Sequence, residues 1–369
     1  MLYIGWSDFF TSRKEFGITM EYQNNNGNYD NRNRRKTKKN KKIYYRAVCI
    51  VLCLLIAVTA FGIVNLIKSG KETPIPGKKI VKNNEDYSLG DGGQSEAVSP
   101  SLDSANSLSV DITAANAIVI NADTNTVLYQ KNGTDKIAPA STAKMITALT
   151  VLDYCSPNDE MRVGAEIEMM HDDSSRAWLM QGDTLTVRQL LIALMLPSGN
   201  DAAYTLAVNA GKKIAGDNSL TNKQAIQVLM DKVNGKAKSL GAENSNFIVP
   251  DGYDADGQYT TAYDLAVIAK ACLDNPYISE IVASYSSYER WPNGREVTYN
   301  NTNELLNPNS QYYLPEVIGL KTGTSSLGGA CIVSAAVING NTYICAVMGS
   351  TEDGRFQDSI NIYDAIKAQ

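Results

Sequence analysis

Ser141 and Lys144 stand three residues apart in Pro139–Leu152, PASTAKMITALTVL, a stretch otherwise dominated by apolar or small residues. Residues three apart share one face of a helix, so the hydroxyl and the amine point the same way. A lysine in such company either snorkels to water along its stem or is held there for chemistry. The chemistry on offer is nucleophilic, because a serine hydroxyl attacks well only when a neighbouring base removes its proton. His171 is the only histidine in the chain and, set in the polar EMMHDDSSR, reads as a surface residue. A histidine-based triad therefore has little to draw on. An amine can replace the imidazole if its pKa falls. Burial on an apolar helix would lower it, and a second cation would add to the effect if the fold brought one close.

Two further short motifs fall downstream. Ser198-Gly199-Asn200 lies in LPSGNDAA, and Lys321-Thr322-Gly323-Thr324 lies in GLKTGTSS. At average composition an S-x-x-K arises about once in a chain of this length and a K-T-G in about one chain in ten, so neither means much alone. Their joint occurrence in this order is specific, because each falls in a definite context: a helix start, a loop between helices, and a strand.

The elements that supply those contexts are legible in the apolar periods. ANAIVINADTNTVLYQKN reads as two strands around a turn at Ala122–Asn125, a hairpin. The Ser141 helix follows, with Pro139 at its start. Thr186–Leu196 is a second apolar helix, stopped by Pro197. Asp201–Gly211 is a third, with Asn200 or Asp201 as N-cap and Gly211 as its stop. TNKQAIQVLMDKVNGKAKSLG is a fourth, and TTAYDLAVIAKACL a fifth, with Thr261 and Asp264 spaced as a capping box. EVIGLKTGT, GACIVSAAVING and TYICAVMGS then read as short antiparallel strands, and FQDSINIYDAIKA closes the chain as a helix. Strands at both ends and helices between them predict one sheet built from the two ends plus a helical lobe, an α+β fold. Asp251–Gly257, DGYDADG, misses the register of an EF-hand loop and reads as a polar turn.

Charge and hydropathy set the surroundings. Of 369 residues 44% are hydrophobic and 20% charged, the balance of a globular protein. Residues 1–71 carry 13 basic and 4 acidic residues, whereas the remainder carries 21 basic and 35 acidic ones. The acidic part is a poor partner for nucleic acid, since nothing offsets phosphate repulsion. The basic cluster from Arg32 to Arg46 leads into Ala47–Ile67, 21 residues without a charge, long enough to span a bilayer as a helix. The positive-inside rule puts the N-terminus in the cytoplasm and the rest outside the membrane. The run exceeds the usual apolar core of a signal peptide, which favours an uncleaved anchor. Residues 68–109, rich in Gly, Pro, Ser and Asp, read as a linker. The expected layout is a basic, mostly disordered tail over 1–46, a transmembrane anchor over 47–67, a flexible extracytoplasmic linker over 68–109 and a catalytic domain over 110–369. Six scattered cysteines with no C-x-x-C pair argue against a disulfide scaffold or a zinc site, and no metal or cofactor is expected.

With its three motifs in this order, the chain resembles the penicillin-recognising serine enzymes. Within them it is most similar to the D-alanyl-D-alanine carboxypeptidases, the low-molecular-mass penicillin-binding proteins. The resemblance runs from about Asn116 to the C-terminus, through AIVINADTNTVLYQKNGTDKIAPASTAKMITAL, GDTLTVRQLLIALMLPSGNDAA, TTAYDLA and GLKTGTSSLGGACIVSAAVINGNTYICAVMGS. It implies a β-lactamase/transpeptidase-like fold and an acyl-enzyme on Ser141, with Lys144 as base. It further implies that Ser198 relays a proton to the leaving amine and that Asn200 bonds Lys144 or the substrate amide. The backbone N–H groups of Ser141 and Thr324 would form the oxyanion hole. Lys321, Thr322 and Thr324 would receive the substrate carboxylate, helped by Arg355 of DGRFQDS, while Gly323 and Gly328-Gly329 allow close backbone approach. The implied partners are a peptidoglycan pentapeptide ending in D-Ala-D-Ala, β-lactams as acylating inhibitors, and the bacterial cell membrane through residues 47–67. The chain ends at Gln369 without the C-terminal β-rich domain and amphipathic anchor common in the family, and the N-terminal span would take that anchor's place.

Three alternatives share the motifs. A class A-like β-lactamase would need a loop glutamate for deacylation, and Glu304 falls too late in the chain for that role. A D,D-endopeptidase or transpeptidase would use the same acyl-enzyme with another bond or acceptor. A silent wall-binding protein would be free to lose Ser141 or Lys144, yet both are present.

Overall fold

The computed structural model describes residues 100–101 and 107–369. The expected basic tail, membrane span and most of the linker lie outside the described residues. Among the described residues no helix is long and apolar enough to cross a membrane.

Strands β1 (Asn116–Asn121) and β2 (Thr126–Lys131) form the expected hairpin. β7 (Val317–Ser325), β8 (Gly329–Ile338) and β9 (Asn341–Ser350) follow near the C-terminus. β9 pairs antiparallel with β1, which closes a five-stranded sheet in the order β2-β1-β9-β8-β7. Both ends of the domain therefore build one sheet, as the sequence implies.

The sheet is covered on both faces, and strand alternation divides its residues between them. Ala117 and Val119 of β1 join Ile332, Cys345 and Val347 in a core closed by α7 (Gly354–Lys367) through Phe356, Ile362, Tyr363 and Ile366. Ile118 and Ile120 join Val333, Ile344 and Ala346 on the opposite face, which meets the helical lobe. All six residues of β1 are buried as a result.

The lobe is built around α1 (Lys144–Tyr154), which follows a 3-10 turn over Ala140–Ala143. Residues Lys144 to Val151 are all buried, so α1 is enclosed on every side by its neighbours. Around it stand α2 (Val187–Met195), α3 (Asn200–Ala215), α4 (Asn222–Ser239) and α5 (Ala262–Asp274). α6 (Pro276–Val282) follows α5 and packs against β7. Thr186 and Thr221 cap α2 and α4 in full capping boxes with Gln189 and Gln224.

Three local expectations are corrected. α3 does not stop at Gly211 but runs to Ala215, where Gly216 takes the left-handed conformation at φ 64°. Gly211 serves helix packing instead: a Cβ there would lie 1.9 Å from the Ala225 carbonyl oxygen on α4. The N-cap of α3 is Gly199, not Asn200 or Asp201, whose side chains are engaged elsewhere. The Thr261–Asp264 pair forms only half a capping box. Thr261 accepts from the Asp264 N–H, while the Asp264 carboxylate accepts from the Ser245 hydroxyl.

Two small sheets went unread in the sequence. β3 (Glu160–Arg162) pairs with β4 (Thr184–Thr186). β5 (Ser286–Arg290) pairs with β6 (Glu296–Asn300) across a turn at Pro292–Gly294. The described cysteines, Cys155, Cys272, Cys331 and Cys345, are free and buried.

Candidate active site

Lys144 opens α1 and is fully buried, so its amine does not snorkel to water. Its Nζ lies 2.7 Å from Ser141 Oγ, 2.7 Å from Asn200 Oδ1 and 2.9 Å from the Asp251 carbonyl oxygen. Among the described residues no carboxylate ion-pairs with it. Two of these partners, an amide oxygen and a backbone carbonyl, can only accept. A neutral amine has two N–H groups and one lone pair. With both N–H groups donated to those acceptors, the lone pair faces Ser141 Oγ. An ammonium donates to all three oxygens. The same shell thus satisfies the nitrogen in either protonation state.

Burial lowers the Lys144 pKa to about 8, and the negative charges of Asp251 and Asp201 hold it from falling further. Lys321 is equally buried, and its amine is pushed well below its ordinary value by burial first, then by the charges of Lys144 and Arg355. The expected repulsion between the two cations is thus expressed on Lys321; at Lys144 burial alone drives the fall.

The Ser198–Asn200 turn is stitched in place from outside. Ser198 adopts φ 63° and its carbonyl accepts from the Ser175 hydroxyl at 2.6 Å. The Asn200 N–H donates to the Ser175 carbonyl at 2.9 Å, and the Asp201 carboxylate accepts from the Ala177 and Leu179 N–H groups. Asn200 does not cap its helix. Its Oδ1 faces Lys144 and its Nδ2 donates to Asp251 Oδ2 at 2.6 Å. Ser198 lies in this turn, but its contact to the network runs through its backbone.

β7 is one of the two edge strands of the sheet and passes beside the Ala140–Ala143 turn that carries Ser141. A Cβ on Gly323 would stand 2.8 Å from the Ser141 nitrogen and 3.0 Å from Ala140 Cβ, so any side chain would force strand and turn apart. A Cβ on Gly328 would stand 2.7 Å from the Ala138 carbonyl oxygen. Lys321 Nζ donates to the Thr322 carbonyl at 2.9 Å, and the Thr322 hydroxyl meets that of Thr302 at 2.5 Å. Arg355 Nη1 donates to the Gly323 carbonyl at 3.1 Å and to Thr324 Oγ1 at 3.0 Å, which puts a guanidinium at the end of the Lys-Thr-Gly strand.

The nine candidate site residues therefore fall on the Ser141 turn and the start of α1, the Ser198 turn, or β7 and the arginine beside it. Three more that the sequence reading passed over join them. Asp251, in the loop read as a polar turn, touches both Lys144 and Asn200. Ser175 and Thr302 brace the Ser198 turn and Thr322. No local pattern marks any of the three. The Glu304 carboxylate accepts from Asn307 Nδ2 at 2.8 Å, and that of the buried Glu166 from the Gly164 N–H at 2.7 Å, so both are engaged away from Ser141.

Comparison with known proteins gives a consistent result. A family model described as D-alanyl-D-alanine carboxypeptidase matches residues 101–352. The D-alanyl-D-alanine carboxypeptidase DacF of Bacillus subtilis is 30% identical over 243 residues, which cover 64% of this chain and 58% of that protein. The chain thus spans less than two thirds of that relative's length. A D-alanyl-D-alanine carboxypeptidase of Streptomyces sp. K15 is 34% identical over 251 residues, 65% of this chain and 82% of that one. Among solved structures, the Streptomyces K15 DD-transpeptidase superposes with a TM-score of 0.64 at 30% identity, covering 70% of this chain and 98% of that one.

Proposed function

We propose, from the premise that this chain belongs to the D-alanyl-D-alanine carboxypeptidase family, that it removes the terminal D-alanine from peptidoglycan stem peptides. The observation that carries the reading is the 2.7 Å contact between Ser141 Oγ and a fully buried Lys144 whose other two partners are fixed acceptors. Lys144 takes the serine proton as Oγ attacks the carbonyl carbon of the penultimate D-Ala. The N–H groups of Ser141 and Thr324 hold the resulting oxyanion. Collapse breaks the peptide bond, and the departing amine receives the proton from Lys144 through Ser198. Water then cleaves the ester and frees the shortened peptide. The substrate lies along the free edge of β7 as an added strand. Its carboxylate is received by Lys321, Thr322, Thr324 and Arg355. A β-lactam presents a strained amide to the same serine and acylates it.

Residues 47–67 anchor the protein in the bacterial cell membrane, with residues 1–46 cytoplasmic and the catalytic domain, 110–369, carried outside on the linker 68–109. The uncharged 21-residue run after a basic cluster supports this layout.

A transpeptidase reading has one specific support, since the Streptomyces K15 protein of similar structure is a DD-transpeptidase. One experiment addresses the whole scheme. Membrane and soluble fractions are labelled with penicillin, the adduct is located by mass spectrometry, and products from pentapeptide are analysed. The expected result is a long-lived adduct on Ser141 in the membrane fraction, absent from Ser141→Ala, with release of free D-alanine and no cross-linked dimer. Labelling on another residue overturns the assignment. Cross-linked dimer favours the transpeptidase, and rapid turnover of penicillin a β-lactamase.

A further inference from the structure

We infer that Asp251 is a positioning residue of this reaction: its carboxylate fixes the rotation of the Asn200 amide, and through it the direction in which the Lys144 lone pair points. The inference rests on the acyl-enzyme reading above. It concerns a residue in none of the three motifs.

The two ends of an asparagine amide are nearly the same shape, so its neighbours decide which end faces where. On one side of Asn200 stand Lys144 and the Ser175 hydroxyl, 3.3 Å from Oδ1, and on the other the Asp251 carboxylate. Asp251 Oδ2 takes Asn200 Nδ2 at 2.6 Å, and Oδ1 takes the Tyr253 N–H at 3.1 Å. Both oxygens already accept from N–H groups, which suits an ionised carboxylate and leaves no acceptor for a carboxyl proton. The NH2 end of Asn200 must then face Asp251, and the oxygen must face Lys144. Were the amide reversed, Nδ2 would confront Lys144 Nζ. One lysine N–H would lose its acceptor, and the lone pair would be drawn to the amide instead of the serine.

Asp251 acts on Lys144 twice, because its own carbonyl oxygen is the amine's third partner. Its backbone is held to suit. The Pro250 carbonyl accepts from Thr147 Oγ1 on α1 at 2.9 Å. Gly252, at φ 79°, is pressed so close that a Cβ would fall 2.0 Å from the Ala140 carbonyl oxygen. The loop is thereby clamped to both the nucleophile turn and the lysine helix. The titratable and charged groups around this cluster are Lys144 on α1, Asp201 and Tyr204 on α3, His171 on the neighbouring loop, Tyr253 two residues on, and Lys321 on β7 with Arg355 beside it. Burial raises the Asp251 carboxyl above its ordinary value, Lys144 and the backbone N–H groups limit that rise, and its charge raises Lys144 in return.

The test uses the full-length protein and reads the rate of Ser141 acylation by fluorescent penicillin against pH. In Asp251→Asn a single acceptor oxygen faces two donors, Tyr253 N–H and Asn200 Nδ2. Acylation is expected to fall on the order of 10- to 100-fold, the scale of a misoriented catalytic group. Loss of the negative charge also moves the acidic limb of the profile to lower pH. The exchange Asn200→Asp/Asp251→Asn restores one donor and one acceptor across the contact. The amide then at position 251 would accept from Tyr253 and donate to the carboxylate then at position 200, which accepts from Lys144. On the plateau above both acidic limbs that variant should acylate faster than the single one, and its limb should lie above that of the wild type because the charge now touches Lys144. A merely structural role would lower the rate without moving the limb in opposite directions. If Asp251→Asn acylates within about twofold of the wild type with an unmoved limb, a result well short of that misorientation cost, the inference is overturned. It is equally overturned if the exchange folds no better than the single variant or acylates no faster on the plateau above both limbs. Absence of a Ser141 adduct in the wild type would instead sink the acyl-enzyme reading itself.

Discussion

The proposed chemistry turns on Lys144, whose state at neutral pH follows from where it is buried. With its pKa lowered to about 8 by burial, most of the population is an ammonium at pH 7 and an amine above pH 8. Only the amine can take the serine proton. Acylation of the wild type should therefore rise with pH through about 8 and then level, a profile measurable by penicillin labelling. Lys144→Met keeps the apolar stem and removes the base, and it should cost on the order of 10²- to 10⁴-fold in acylation. A variant that still acylates at the wild-type rate would assign the base elsewhere. At this scale the sequence was informative about Ser141 and Lys144, which are near neighbours in the chain. It was silent about Asp251, which lies 107 positions from Lys144 and 51 from Asn200. No local pattern ties an aspartate in a turn to an amide that far away.

The elements that carry the site are fixed by close approaches that only glycine permits, and here sequence reading both succeeded and failed. Gly323 was expected at a tight backbone contact, and it lies against the Ser141 nitrogen. Gly211 was expected to end a helix, because glycine is the usual residue just past a C-terminus. Its actual use is to let α3 and α4 touch, and the chain signals the two uses identically. Gly211→Ala should cost about 1–3 kcal/mol through overpacking, read as a fall of roughly 2–4 °C in Tm for each kcal/mol. Gly211 lies eleven residues, roughly 16 Å along the helix axis, from Asn200. The acylation rate of the folded variant should therefore be unchanged; a large loss would mean that the packing of α3 sets the site. The β5–β6 hairpin was legible in principle, since Pro292-Asn293-Gly294 sits between alternating residues.

At the scale of the whole molecule, the domain closes by joining its two ends. β1 pairs with β9 along six residues. Asp358 on α7 reinforces the junction by accepting from the Thr113 and Ala114 N–H groups at 2.9 Å each and from the Thr113 hydroxyl at 3.0 Å. Asp358→Ala strands those donors, Ala114 fully buried among them, and should destabilise the domain by about 2–4 kcal/mol. Denaturant unfolding would measure it; a change below about 0.5 kcal/mol, the range of an ordinary surface substitution, would show that strand pairing alone holds the ends. Arg355, which reaches Thr324, stands on the same helix, so the closure also delivers a cation to the candidate site.

The sequence by itself determined the periods of strand and helix, the three short motifs and the order in which they occur, because each is a matter of residues within a few positions of one another. Only the tertiary structure decided that Lys144 is sealed from water, that Asn200 turns its oxygen to the amine instead of capping its helix, and that Asp251 holds it so. Those outcomes depend on which distant backbone and side-chain groups arrive within 3 Å of one another. Local propensity carries no information about that meeting, because hydrogen-bond partners are chosen by the packing of the whole chain.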